Sequence, residues 1–221
     1  MYISYSSSQE LSSSYIGGKP MLPDGVQIPK HPKTKSQMTF FFQILMPDTH
    51  EWAGQLISIF CVTDDYDPEN IIPEMIEYNR SNYDVRSDCQ QFNQNYFKVI
   101  VSDFKSCKVK DEYKEIIEYK PLIFRSEADN AFGFIGGTPN WIIEDESPTT
   151  LDGKKIDFLF QTSTDLYFSK LSCAPKQKIE DFEKSSGIRD SYIDDYSLFA
   201  GNAIYFFGEK TTKRVYMVLQ S

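Results

Sequence analysis

The chain has 221 residues and a net charge of -9 at pH 7, with a pI of about 4.8. That acidity disfavours nucleic acid and anionic membrane as direct partners, because phosphate recognition calls for Lys and Arg; it suits a basic protein partner. A mean hydropathy of -0.43 and 40% hydrophobic residues fit a soluble globular protein with a substantial core, and 17 Phe and 14 Tyr tilt the class towards β-rich.

Residues 1–14 are serine-rich and weakly patterned, and predict a short strand or an unanchored arm. They hold no Lys or Arg and no apolar run, so they do not read as a secretory leader. Tyr15-Ile16-Gly17-Gly18-Lys19-Pro20 follows, then the turn Leu22-Pro23-Asp24-Gly25, where proline presets one φ and glycine supplies a positive one. Pro29 and Pro32 keep residues 28–33 extended. Residues 38–46 are apolar enough for a strand buried on both faces, which obliges Gln43 to find a backbone partner. This apolar stretch is too short to span a bilayer.

A strand over 56–62 ends at Thr63-Asp64-Asp65-Tyr66-Asp67-Pro68. Residues 69–95 are polar, with at most a short helix over 71–78, and further strands are expected over 96–101 and 115–119. Residues 104–113 carry too much charge for a central strand. A second half begins after Pro121-Leu122-Ile123-Phe124, with a strand over 156–161. Its best helix pattern covers 174–187, with Pro175 in the first turn, Ile179 and Phe182 on one face and Gly187 as the stop. An acidic, tyrosine-rich loop over 190–195 precedes a final hairpin of strands 204–207 and 214–219. In its last strand Val215, Met217 and Leu219 alternate with Tyr216, Val218 and Gln220, predicting one buried face.

The landmarks recur in order. Tyr15-Ile16-Gly17-Gly18-Lys19-Pro20 is echoed by Phe134-Ile135-Gly136-Gly137-Thr138-Pro139, and Phe40-Phe41-Phe42-Gln43 by Phe158-Leu159-Phe160-Gln161. Gly54-Gln55-Leu56-Ile57-Ser58-Ile59-Phe60 is echoed by Gly201-Asn202-Ala203-Ile204-Tyr205-Phe206-Phe207. The expected fold is therefore α+β and β-rich, internally duplicated, with two homologous halves at 15–120 and 125–221 packed as one compact unit with few helices. Gly-Gly-x-Pro reads as a backbone device, since neither copy opens a helix or continues as a phosphate loop. With these motifs across 15–62 and 134–208, the chain resembles the bacterial YwqG family. It carries Ser197-Leu198-Phe199-Ala200-Gly201 where many members have Trp-Gly-Asp before the last glycine. The resemblance implies a duplicated α+β fold without an established activity, and relatives that sit beside toxin genes as candidate immunity proteins.

No catalytic constellation stands out. His31 and His50, the only histidines, sit in no metal-ligand spacing, and Cys61, Cys89, Cys107 and Cys173 lie far apart, as free thiols in a reducing cytoplasm would. No cofactor motif is present, so no cofactor or metal is expected. Trp52 and Trp141 read as core residues. Two segments combine carboxylates with tyrosines in loops: Asp64, Asp65, Tyr66, Asp67 and Glu69, and Asp190, Tyr192, Asp194, Asp195 and Tyr196. Such pairs suit contact with a basic protein. The leading expectation is a cytoplasmic protein-binding module, an immunity protein neutralising a basic toxin. The alternative is a hydrolase or transferase that uses the acidic residues.

Overall fold

A computed structural model describes residues 1–7, 12–74, 81–127, 130–183 and 187–221. Ten strands form one sheet: β1 (Tyr2–Tyr5), β2 (Tyr15–Ile16), β3 (Thr39–Leu45), β4 (Gln55–Cys61), β5 (Phe97–Asp103), β6 (Lys120–Arg125), β7 (Ala131–Ile135), β8 (Asp157–Thr162), β9 (Ala203–Glu209) and β10 (Arg214–Gln220). Their spatial order is β10-β9-β8-β7-β1-β6-β2-β3-β4-β5, with all neighbours antiparallel. The protein is β-rich, as its aromatic content predicts. The α-helices among the described residues are single turns, α1 (Pro68–Ile71) and α2 (Gln90–Asn93).

The centre of the sheet is unlike the sequence expectation. β1 pairs with β7 on one side and β6 on the other, and β6 pairs in turn with β2. Of the two expectations for the start of the chain, the short strand forms and not the unanchored arm, but it lies at the centre of the sheet, and residues 121–124, expected at the seam between halves, lie inside another central strand. Burial explains the placement: Ile3 and Leu122 are core residues, and an edge position would leave such side chains wet. The strand expected over 115–119 reduces to one bridge, Ile117 to Lys170.

On either side of β1 and β6 the pairings run alike. Tyr15 faces Gln43 and Ile16 faces Phe42 between β2 and β3; Phe134 faces Gln161 and Ile135 faces Phe160 between β7 and β8. A bulge interrupts β3–β4 between Phe40 and Phe42, and another interrupts β8–β9 between Phe158 and Phe160. Gln43 Oε1 accepts from the Met21 amide at 3.1 Å, and Gln161 Oε1 from the Asn140 amide at 2.6 Å. Gln43 Nε2 also donates to Ser13 O at 2.9 Å, so this buried amide has the backbone partners it needs. Gly17 has φ of +59, and a Cβ there would sit 2.3 Å from the Glu118 carbonyl oxygen. Close backbone approach thus requires glycine at that position.

Continuous apolar runs produce two-sided burial. Phe42 lies 5.0 Å from Phe132 and 6.3 Å from Phe160 and Phe206, ring centre to ring centre, in edge-on contacts that aromatic quadrupoles favour. In β10, Val215, Met217 and Leu219 enter this main core. Tyr216 and Val218 enter a second cluster with Val85, Leu151, Tyr205 and Phe207. Both faces of the last strand are therefore buried, not one. The cause is an added layer, a small sheet of Tyr83–Val85, Pro148–Leu151 and Lys154–Lys155.

The helix expected over 174–187 is instead a hairpin. Lys178–Asp181 pairs with Gly187–Asp190, Lys178 opposite Asp190 and Ile179 opposite Arg189. Only Ile179 and Phe182 would have anchored a helix, whereas the extended form gains a Lys178–Asp190 ion pair at 2.7 Å and a backbone bond from Lys178 to Thr63. Tertiary contacts override a weak local preference.

The sheet is nearly closed. Its edge strands β5 and β10 line opposite sides of a cavity of about 160 Å³ that includes Phe97, Val99, Arg214 and Met217. Gln91 of α2 replaces a missing strand there: its Nε2 donates to Met217 O at 2.9 Å, and its Oε1 accepts from Met217 N at 3.0 Å. Removing that amide in Gln91→Ala strands a buried donor and acceptor, and is expected to cost about 2–4 kcal/mol. The neighbouring exposed Gln90→Ala should stay within about 0.5–1 kcal/mol in the same urea unfolding experiment.

Candidate functional site

The two acidic segments come together around the 178–190 hairpin. The backbone of Lys178 donates to Thr63 O at 2.8 Å, and Tyr66 Oη donates to Glu180 Oε2 at 3.4 Å. The far end of the hairpin is tied by Ser191 N to Gln177 O at 2.7 Å. Between the first segment and the hairpin lies a cavity of about 140 Å³, walled by Tyr66, Ile71, Ile72, Ile179, Phe182 and Phe199.

Within the first segment the residues differ in task. Asp67 caps α1, accepting from Glu69 N at 3.2 Å, and Pro68 occupies the first helical turn, where no amide is needed. Asp65 is half-buried and receives the Tyr96 hydroxyl at 2.6 Å and the Tyr66 amide at 2.9 Å. Burial pushes the Asp65 carboxyl up, but those two hydrogen bonds, with Lys33 and His31 beside it, outweigh burial and hold it below the usual carboxylate range. Asp64 is exposed and accepts from Ser36 Oγ at 3.1 Å, and Glu69 is exposed.

In the second segment Asp190, Tyr192 and Asp194 are exposed and Asp195 is half-buried. The Lys178 ammonium bonded to Asp190 holds that carboxyl below its ordinary value. The Arg189 guanidinium lies 4.1 Å over the Tyr192 ring. Tyr196 does not belong to the surface: it is 0% exposed, pairs with Phe168 and donates its hydroxyl to Pro175 O at 2.7 Å. It acts as a core residue and cannot touch a partner.

Sequence reasoning missed the apolar part of this surface. Phe182 is 85% and Tyr192 81% exposed, and Ile188 and Ile193 are also out. A helix over 174–187 would have turned Phe182 inward. The alternation of Ile188 and Arg189 after Gly187 was the available signal for a strand. Asp64, Glu69, Glu183 and Asp195 make no ion pair among the described residues, so the rim of this apolar surface stays negative.

Neither histidine offers a ring nitrogen to a substrate. His31 is buried; its Nδ1 accepts from Lys33 N at 3.0 Å, and its Nε2 faces Asp65 Oδ2 at 3.3 Å. His50 Nδ1 accepts from Trp52 N at 3.0 Å, and its Nε2 lies 3.2 Å from Phe158 O. Trp52 is core and Trp141 stacks on Tyr205 with centroids 4.1 Å apart. Among the described residues no group of three or more His, Cys, Asp or Glu is arranged to hold a metal ion, and no helix is long and apolar enough to cross a membrane.

Tyr96→Phe tests the support under Asp65. A carboxyl held low in the folded state contributes stability above its unfolded value and loses it as the pH falls through the folded one. The variant should lose about 1–2 kcal/mol at pH 7 and show a flatter acid dependence between roughly pH 5 and pH 2. Urea unfolding across that range, with carboxyl titration by NMR, checks both. No family model, curated protein or solved structure matches the chain.

Proposed function

We propose that this chain is a protein-binding module for a basic partner, and that the partner is a toxin it neutralises in the cytoplasm. One observation carries the reading: two acidic segments over a hundred residues apart flank a hairpin, and the hairpin with the loop that follows it presents Phe182, Ile188, Tyr192 and Ile193 to solvent. Aromatic anchors inside a charged rim form the usual anatomy of an interface. A carboxylate rim on a chain of net charge -9 accelerates encounter with a cationic surface. The resemblance to the YwqG family, with its toxin-linked members, supplies the toxin part of the proposal. It also supports a duplicated origin for the matched pairings on either side of β1 and β6, with halves at 15–120 and 125–221. A hydrolase or transferase reading gains nothing from His31 and His50, whose ring nitrogens are turned to the protein itself.

Co-expression with a toxin encoded beside its gene is the direct trial. Relief of toxicity and a complex on size exclusion are expected; persistent toxicity with no complex defeats the proposal. In the complex, Asp64→Asn, Glu69→Gln, Glu183→Gln and Asp195→Asn together should slow association about tenfold at low salt. Phe182→Ala or Tyr192→Ala should mainly speed dissociation, by about tenfold or more.

A further inference from the structure

Away from the hairpin, a cavity of about 450 Å³ opens beside the first Gly-Gly motif. Its walls include Ile16 of β2, Lys120 and Pro121 of β6, Tyr5 of β1 and the segment from Tyr167 to Ser169. That volume is within the range of small-molecule sites, which combine an apolar lining with a few placed polar groups. The floor is fixed by the core: Phe168 is 2% exposed and lies parallel to Phe42, centroids 6.3 Å apart. Tyrosine rings that remain wet line the cavity, Tyr5 at 40% and Tyr167 at 48% exposure, together with the half-buried Tyr119. Tyr119 is itself held, its hydroxyl accepting from Ser12 N at 3.1 Å and its ring 5.1 Å from that of Tyr15.

The serines Ser6, Ser7 and Ser169 also line this cavity, and the cation among its described lining residues is the Lys120 ammonium. It donates to Ser169 Oγ at 3.0 Å and makes no ion pair among the described residues. Among the described residues no carboxylate lines the cavity. A half-buried cation with protons to spare, facing apolar walls and tyrosine rings, is complementary to a flat apolar body bearing one negative charge. We infer that this cavity is a binding site for a small aromatic anion, an arene carboxylate or sulfonate, with the ring against Tyr5, Tyr119 and Tyr167 and the charge on Lys120. The site is separate from the acidic hairpin surface, so either can fail without the other.

Two probes with the same ring system separate the two contributions: naphthalene-2-sulfonate, and the uncharged 2-methoxynaphthalene, titrated calorimetrically against the whole chain. The sulfonate should bind with a Kd below about 1 mM and at least about tenfold more tightly than the neutral probe. Lys120→Met should bring the sulfonate to the level of the neutral probe while leaving the latter unchanged. Tyr167→Ala, at a ring that is 48% exposed, should weaken both probes about tenfold. Thermal unfolding of each variant confirms that it is folded. No binding of either probe at millimolar concentration, or equal binding of both to the unchanged chain, overturns the inference. So does a folded Lys120→Met that holds the sulfonate as before; if that variant does not fold, Tyr167→Ala without effect on either probe overturns it equally.

Discussion

The pairing of β1 with β6 at the middle of the sheet is the constraint on which the rest depends. β1 comes from the first part of the chain but hydrogen-bonds to β7 from the second, and β6 reaches back to β2 in the same way. Without these two strands, β2 and β7 would each present a raw edge, with unpaired amides and carbonyls beside buried aromatics. Ile3 and Leu122 fill the core between the flanking runs. Among the described residues the edges that remain are β5 and β10, and at the β10 edge the Gln91 side chain pairs with the Met217 backbone. A backbone ladder thereby does in the centre what Gln91 does for Met217 at the rim: it gives main-chain donors and acceptors their partners.

Local chemistry made much of this legible. The run Phe40-Phe41-Phe42-Gln43-Ile44 could only be a strand buried on both faces, and its glutamine had to find backbone partners, which it does in Met21 and Ser13. A turn forms one residue later than Leu22-Pro23-Asp24-Gly25, closed by Val26 N bonded to Pro23 O, with Gly25 at φ +83 supplying the expected positive φ. The final hairpin falls where alternation and its polar loop placed it. What stayed hidden was non-local. Nothing in Met1-Tyr2-Ile3-Ser4-Tyr5 records that its partners lie more than a hundred residues away, so a short strand and an unanchored arm read alike until those partners are known. The second buried face of β10 depends on a small sheet whose strands come from residues 83–85 and 148–155. The helix reading of 174–187 failed because the deciding contacts, to Thr63 and across to Asp190, are tertiary.

The candidate site shows the same division. Its charges were visible in the sequence, because carboxylates beside tyrosines in loops are a compositional signal. Its apolar centre was not, since exposure belongs to the fold. Phe182 changes meaning with secondary structure, from a core contact on a helix to the most exposed large apolar side chain described. Tyr196 changes in the other direction, from a surface ring to part of the core beneath Phe41. The cavity at Lys120 is legible only in three dimensions, because Tyr5, Lys120 and Tyr167 share no sequence pattern.

The placement of β1 also has a bearing on how the chain is made. Synthesis proceeds from the N-terminus, so Tyr2–Tyr5 emerges long before Lys120–Arg125 and Ala131–Ile135, the strands that receive it. During that interval β2 through β5 can associate as a meander, but the central gap stays open and β1 has nowhere to dock. Closing loops of more than a hundred residues carries a large entropic cost ahead of any reward, so contact order of this kind makes folding slow. An apolar strand waiting on the ribosome is also an invitation to wrong partners, whether another nascent chain or a chaperone. The serines that follow it in sequence, Ser6 to Ser8 and then Ser12 to Ser14, keep the waiting segment polar on one flank.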